Sequence, residues 1–342
     1  MPGYYFNLPQ ITDLTTSQQS ALYETGCFAL SGGPGTGKSV VSLFRHITNH
    51  AENDRCSLLL TYTTTLQCYL QAACRSQSDD AAEAVRTAIK GKPERNESWD
   101  EIIIDEAQDL PEDYYLSLPR TMRDKVSYGA DDGQILYPES CCTQAQLRRL
   151  FSENTACTLD RNFRNSRRIL EFCKTAFPNA HISNIDIAGC SVIGEKPILI
   201  NRGGTIYQQT NQQQDDKIVD IINEYRSSEH NIAILVPWQS HVNLFHDVLE
   251  ENDIPHTWYS SEDYEGTGCT DISNVHITTF KSAKGLEFDT VIIPNFHNYP
   301  DSCGRFNLEW QDFYVACTRA KRNLFLISAK AHENLRNVVE VE

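Results

Sequence analysis

The sequence predicts an α/β protein of two domains, each a parallel sheet flanked by helices. Three observations carry that expectation. The apolar run Cys27 to Ser31 leads into Gly32-Gly33-Pro34-Gly35-Thr36-Gly37-Lys38-Ser39 and then into the helical stretch Val40 to Ile47. A second apolar run, Ile102 to Ile104, ends in the adjacent carboxylates Asp105 and Glu106. Short apolar runs also alternate with helical stretches through both halves of the 342 residues, the pattern of parallel sheets covered on both faces.

Taken in order, residues 1–13 hold prolines and aromatics and are expected to loop against the first domain. Leu14 to Leu22 starts a helix, with Thr15, Thr16 or Ser17 available as N-cap. The glycine-rich octapeptide fits the phosphate-binding pattern G-x-x-x-x-G-K-[ST] in the strand–turn–helix setting that gives the pattern meaning. Along Gly33, Pro34, Gly35, Thr36 and Gly37 the backbone can turn its N–H groups onto phosphate oxygens, and the following helix adds its positive N-terminus. Lys38 would then reach β- and γ-phosphates, and the Ser39 hydroxyl would ligate Mg²⁺.

Ser57 to Thr61 reads as a second strand and Leu66 to Ala73 as a helix. The polar stretch Arg75 to Ser98 has room for one helix, Ala81 to Ile89, and a loop. The acid-ended strand follows. Ligands of parallel α/β sheets gather at the carboxyl ends of strands, so Asp105 and Glu106 should emerge beside the phosphate loop. One carboxylate, Asp105, suits Mg²⁺; the other, Glu106, suits orienting and deprotonating water. Lys125 to Ala130 is a further strand, running into Asp131-Asp132-Gly133-Gln134. In the second half, Pro197 to Asn201, Asn231 to Val236, Val275 to Thr279, Thr290 to Pro294 and Asn323 to Ser328 read as strands. Ile218 to Arg226 and Val242 to Glu251 read as helices, and the glutamine-rich run Gln208 to Asp216 as an exposed loop or helix start.

The totals constrain function. Thirty basic against 46 acidic residues give 30 − 46 = −16, which argues against indiscriminate nucleic-acid binding through the whole surface but not against a local basic groove. Twelve cysteines occur without a single C-x-x-C, so zinc or iron–sulfur ligation by thiolates is not expected and reduced thiols are. His46 and His50 lack the intervening Glu of H-E-x-x-H and read as a helix face. No leader pattern and no membrane-length apolar run is evident, so a soluble, cytoplasmic protein is expected.

The motifs in their order resemble superfamily 1 helicases of the UvrD/Rep type. Leu14-x-x-x-Gln18-x-x-Ala21 resembles the adenine-reading Q motif, and the phosphate loop and Asp105-Glu106-Ala107-Gln108-Asp109 follow it. Thr61-Tyr62-Thr63 resembles a block that touches single-stranded DNA. Ala130-Asp131-Asp132-Gly133-Gln134-Ile135-Leu136-Tyr137 is similar to the family's G-D-x-x-Q-S-I-Y, and Asn162-Phe163-Arg164 to its N-[YF]-R. Thr279 to Phe288 resembles T-x-H-x-A-K-G-L-E-F, and Tyr314 to Ala320 resembles Y-V-A-x-T-R-A. The resemblance implies two RecA-like domains, 1–160 and 161–342, with ATP in a cleft between them. It also implies roles. Gln18 would bond adenine, Phe163 would stack on it and Glu287 would hold the ribose. Arg164 and Arg319 would act as arginine fingers, while Gln134 would sense the γ-phosphate. Tyr62, Thr63, Tyr137, Thr279 and Lys281 would line a track for single-stranded DNA, with RNA as an alternative strand.

There are departures. The gaps before Asp105 and before Thr279 are too short for the family's two large accessory subdomains. Lys281 replaces the usual His, and Tyr137 is followed by Pro138 rather than a DNA-stacking tryptophan. Two functions compete. One is an ATP-dependent motor moving 3′-to-5′ on single-stranded DNA. The other is a nucleotide-gated regulatory ATPase that works with a protein partner, as in small helicase-like subunits of bacterial anti-phage systems. A phosphate-loop kinase leaves the two arginine blocks unexplained.

Overall fold

A computed structural model describes residues 3–5, 8–52, 55–135, 138–205, 211–259, 272–305 and 308–342. It divides into two compact units, Phe6–Asn162 and Phe163–Glu342, the latter joined by Met1–Tyr5. Thus Tyr4 and Tyr5 do not loop against the first unit. The Tyr4 backbone N–H donates to the Ile272 carbonyl at 2.8 Å, and Tyr5 N–H donates to Asn231 Oδ1 at 2.9 Å.

The first unit is a six-stranded sheet: β1 (Phe28–Ser31), β2 (Ser57–Thr61), β3 (Val85–Thr87), β4 (Glu101–Ile104), β5 (Val126–Gly129) and β6 (Thr155–Thr158). Their order is β3-β2-β4-β5-β1-β6, and every pair is parallel. Alternate side chains leave opposite faces of a strand, and here both faces are apolar. Phe28, Leu30, Leu59 and Ile103 join Val41, Phe44 and Ile47 of the helix Lys38–Glu52 in one core. Ala29, Leu58, Leu60, Ile102 and Ile104 join Tyr115, Tyr128 and Leu147 in the other. A sheet buried on both sides explains why these strands are continuous apolar runs rather than alternating ones.

Two strands differ from the sequence expectation. Val85–Thr87 pairs with β2, where a helix to Ile89 is expected; the helix itself covers only Asp79–Glu83. Three residues with one charged side chain carry too little pattern, and pairing on β2 decides. Thr155–Thr158 is mostly exposed and lacks an apolar run, and edge pairing with β1 makes it a strand.

The second unit is a seven-stranded parallel sheet. Its strands are β7 (Ile198–Asn201), β8 (Ile232–Val236), β9 (Thr257–Trp258), β10 (Val275–Thr279), β11 (Phe288–Ile293), β12 (Ala320–Ser328) and β13 (Glu340–Val341). The order is β13-β7-β12-β11-β8-β10-β9. The helices Gln212–Tyr225 and Gln239–Glu251 cover one face, packing Ile218, Ile222, Phe245 and Leu249 on Ile234 and Ile277. The glutamine-rich run enters its helix at Gln212, capped by Asn211. Both units are therefore α/β with parallel, helix-flanked sheets. Ten cysteines are free thiols; among the described residues Cys68 departs from the reduced-thiol expectation and is disulfide-bonded.

Candidate nucleotide site

In the first unit β1 ends at Ser31 and the glycine-rich loop carries the chain into the helix that starts at Lys38. Gly37 sits at φ 90°, and a Cβ there would lie 2.4 Å from the Gln18 amide nitrogen. Glycine at this position lets Gln18 approach the loop. Gln18 itself is buried. Its Nε2 donates to the Thr36 carbonyl at 3.0 Å, and its Oε1 accepts from the Thr15 N–H at 2.9 Å. The same residue thus closes the capping box of the helix Thr16–Leu22 and braces the phosphate loop. Asn162, at the end of the unit, donates to the Pro34 carbonyl at 2.8 Å. Thr36 Oγ1 donates to Gly33 O at 2.9 Å, and the buried Lys38 ammonium donates to Gly32 O at 2.8 Å and Gly33 O at 3.0 Å.

Strands β4 and β5 deliver the acids. β5 lies between β4 and β1, so three neighbouring carboxyl ends carry Asp105, Asp131 and the loop. Lys38 Nζ lies 3.5 Å from Asp131 Oδ2, and the same oxygen accepts from Gln134 Nε2 at 2.7 Å. Glu106 accepts from Gln108 Nε2 at 2.6 Å, and Gln108 Oε1 accepts from the Asp131 N–H at 3.1 Å. One network therefore joins Glu106, Gln108, Asp131, Gln134 and Lys38. Asp131 and Gln108 are functional candidates that the motif reading passes over. The signal for Asp131 is present in the sequence, as the first carboxylate after the apolar strand β5.

Asp105 is the electrostatic anomaly. Burial, reinforced by the neighbouring Glu106 carboxylate, pushes its carboxyl up to about 6, against opposing help from the Ser39 hydroxyl and Lys38. Its Oδ2 is buried without a hydrogen-bond partner. Gly129 keeps the ground beside it open: a Cβ there would stand 3.3 Å from Asp105 Oδ1. A partnerless carboxylate oxygen on a carboxylate already bonded to Ser39 is the donor set of a hard divalent cation, so Ser39 and Asp105 fit Mg²⁺.

In the second unit Arg164 Nε donates to Glu287 Oε2 at 3.1 Å, and Lys321 Nζ lies 3.4 Å from Glu287 Oε1. Burial raises the Glu287 carboxyl, but Lys321 and Arg164 outweigh it and hold it below the usual range. Tyr4 donates its hydroxyl to the Glu287 carbonyl. Arg319 is fully buried, donating to the carbonyls of Val315 at 3.0 Å and Leu286 at 3.2 Å. Phe163 is 40% exposed, a large ring open to solvent.

The track candidates are differently placed. The Thr63 hydroxyl caps the helix Thr64–Arg75 by accepting from Leu66 N–H, and Tyr62 packs against the second core of its unit. Thr279 accepts from the Ser282 N–H at 3.2 Å, and Lys281 lies 3.9 Å from Asp312. Tyr137 lies outside the described residues.

Two parallel α/β units, the first carrying a glycine-rich loop and a buried acid pair at the carboxyl ends of its strands, give the chain the fold class that the sequence predicts. Known proteins make this more particular. Residues 262–331 match the UvrD-like helicase C-terminal domain, and residues 25–188 match the Schlafen group 3 DNA/RNA helicase domain. A protein of Acanthamoeba polyphaga mimivirus named as an ATP-dependent DNA helicase is 25% identical over 245 residues, 66% of this chain and 34% of that protein. The RecB subunit of the RecBCD enzyme of Chlamydia pneumoniae is 41% identical over 56 residues, 16% of this chain and 5% of the subunit. Among solved structures, the C-terminal domain of a possible DNA helicase from Lactobacillus plantarum gives a TM-score of 0.38 at 20% identity, covering 52% of this chain and 98% of that one. The PRRSV helicase gives 0.46 at 16% identity, covering 92% and 54%. The chain thus spans about a third of the mimivirus relative and a small part of RecB. The likeness to superfamily 1, UvrD-type helicases carried by the motifs is shown. No helix among the described residues is long and apolar enough to cross a membrane.

Proposed function

We propose that the chain is an ATP-hydrolysing motor that binds ATP with Mg²⁺ and moves along single-stranded DNA, 3′-to-5′. The observation that carries this reading is the buried oxygen of Asp105 beside Ser39, without a partner among the described residues, next to a lysine that bonds its own loop carbonyls and faces Asp131. Bound Mg²⁺ supplies charge neutralisation on the phosphates. The chain's own groups do the rest. Lys38 exchanges the Gly32 and Gly33 carbonyls for phosphate oxygens. Glu106, held by Gln108, orients the attacking water and takes its proton. Gln134, bonded to Asp131, relays the state of the γ-phosphate. Gln18 and Phe163 hold the base, and Glu287 the ribose. Arg164 and Arg319 bring positive charge to the transferred phosphoryl group, an effect worth roughly 10³–10⁵ in rate where such fingers operate. Arg164 must leave Glu287 to do this, which makes the Arg164–Glu287 pair a resting state. Tyr62, Thr63, Tyr137, Thr279 and Lys281 form the strand track, and a protein partner supplies what the missing accessory subdomains do elsewhere.

The test is ATP hydrolysis with and without a long single-stranded DNA at low salt, with Lys38→Ala as the blank. Hydrolysis that rises on adding DNA and vanishes in Lys38→Ala is expected. Hydrolysis indifferent to DNA and RNA would instead favour the nucleotide-gated regulatory ATPase, as in an anti-phage complex.

A further inference from the structure

A second ligand set lies in the other unit, at the edge of its sheet. His246 and Glu250 are four residues apart on the helix Gln239–Glu251, so they share one face. The chain then turns through Asp253, at φ 53°, and returns His256 just before β9. One ligand atom from each of His246, Glu250 and His256 lies within 4.8 Å of the others. His256 is buried, and its Nδ1 meets the Ile254 carbonyl at 2.7 Å. A carbonyl accepts only, so Nδ1 carries the proton and Nε2 presents a lone pair. That lone pair faces His246 Nδ1 at 2.8 Å, and the Trp258 ring stacks on His246 at 3.8 Å between centroids. Backbone-fixed tautomer, ring stacked in place and a carboxylate within reach are what outer-shell support of a metal ligand looks like.

We propose that His246, Glu250 and His256 form a zinc site that clamps the helix Gln239–Glu251 to β9. Two imidazoles and one carboxylate, with the fourth position left to water, is a zinc donor set; Mg²⁺ and Ca²⁺ prefer oxygen alone. At zinc–nitrogen distances the two ring nitrogens stand roughly 3.3 Å apart, so the rings open by about half an ångström. The His246 proton moves from Nδ1 to Nε2, and both imidazoles stay neutral. The clamp has a mechanical target. β9 is two residues long, and its sheet pairing among the described residues is Thr257 with His276 and Trp258 with Ile277, so a metal bond would add to a short ladder.

The experiment uses the full chain freed of metal with EDTA, titrated with Zn²⁺ by calorimetry and with Co²⁺ by visible absorption. Parent protein should bind one ion per chain at this set, melt higher with Zn²⁺, and give Co²⁺ bands of a four-coordinate site. His246→Ala and Glu250→Gln alter solvent-reachable side chains and should keep the fold by circular dichroism. Each should weaken that binding by at least the roughly 10–100-fold that outer-shell losses cost, and should cancel the melting shift. Absence of saturable binding overturns the proposal. So does binding that is unchanged in both variants, because it then belongs to other groups such as the free thiols.

Discussion

The two units contain the same backbone device with different residues in it. In the first, β4 runs through Asp105 into Glu106 at φ 56° and ψ 43°, followed by a 3-10 turn, Ala107–Asp109. In the second, β11 runs through Pro294 into Asn295 at φ 55° and ψ 35°, followed by a 3-10 turn, Phe296–Asn298. Asparagine enters this left-handed region with little penalty, whereas glutamate does so at about 1–2 kcal/mol. At Asn295 the chain has a residue suited to the turn. Where it has glutamate, backbone strain is retained and the carboxylate ends up bonded to Gln108 in the Lys38 network. The difference sets Glu106 apart from Asn295 and is what its proposed role as the base would require.

The largest test of that contrast is Glu106→Gln. The substitution preserves size and the contact with Gln108 but removes the base. Nucleotide and Mg²⁺ binding should persist while steady-state hydrolysis falls by roughly 10²–10⁴, the usual worth of a positioned base. Parent-like turnover would return Glu106 to the status of Asn295, a turn residue.

Next in size is the effect of pH on Asp105. Its folded carboxyl is raised to about 6 from an ordinary 3.8, chiefly by burial. The neutral acid is therefore favoured in the fold, and the stability it gives is full below pH 3.8 and lost as pH rises through about 6. A cation relieves that loss only when the group is ionised. The Mg²⁺-dependent rise in melting temperature should thus be largest above pH 6 and fade below it, and Asp105→Asn should remove the dependence. A pH-independent Mg²⁺ effect would put the ion elsewhere.

Most of this was legible in the sequence. The phosphate loop, the acid-ended strand and the central strands are long, apolar or glycine-marked, and local pattern suffices for them. What was not legible depends on partners distant in sequence. Val85–Thr87 and Thr155–Thr158 are strands only because β2 and β1 offer edges. Gln18 braces the loop because Gly37 has no side chain, a contact that spacing does not reveal. Asp131 holds both Lys38 and Gln134, although the motif reading credits Gln134 alone. The His246, Glu250 and His256 set joins a helix to the far side of a turn, so cysteine and His-Glu spacing rules give no hint of it.

The smallest predicted effect sharpens the opening contrast most directly, because it separates strain from catalysis. Glu106→Asn keeps the left-handed turn and removes both the strain and the base; Asn295→Ala keeps the turn and introduces strain. If the device is the same in both units, thermal unfolding should move in opposite directions, up for Glu106→Asn and down for Asn295→Ala, each by about 1 kcal/mol from the backbone alone. Only the first substitution should also abolish hydrolysis. The Asn295 N–H donates to Gln214 Oε1 at 3.1 Å, and that bond survives the change to alanine because it is made by the backbone. A loss of stability in Glu106→Asn would mean that the bond to Gln108 outweighs the strain, and that the acid is held for the fold as well as for the reaction.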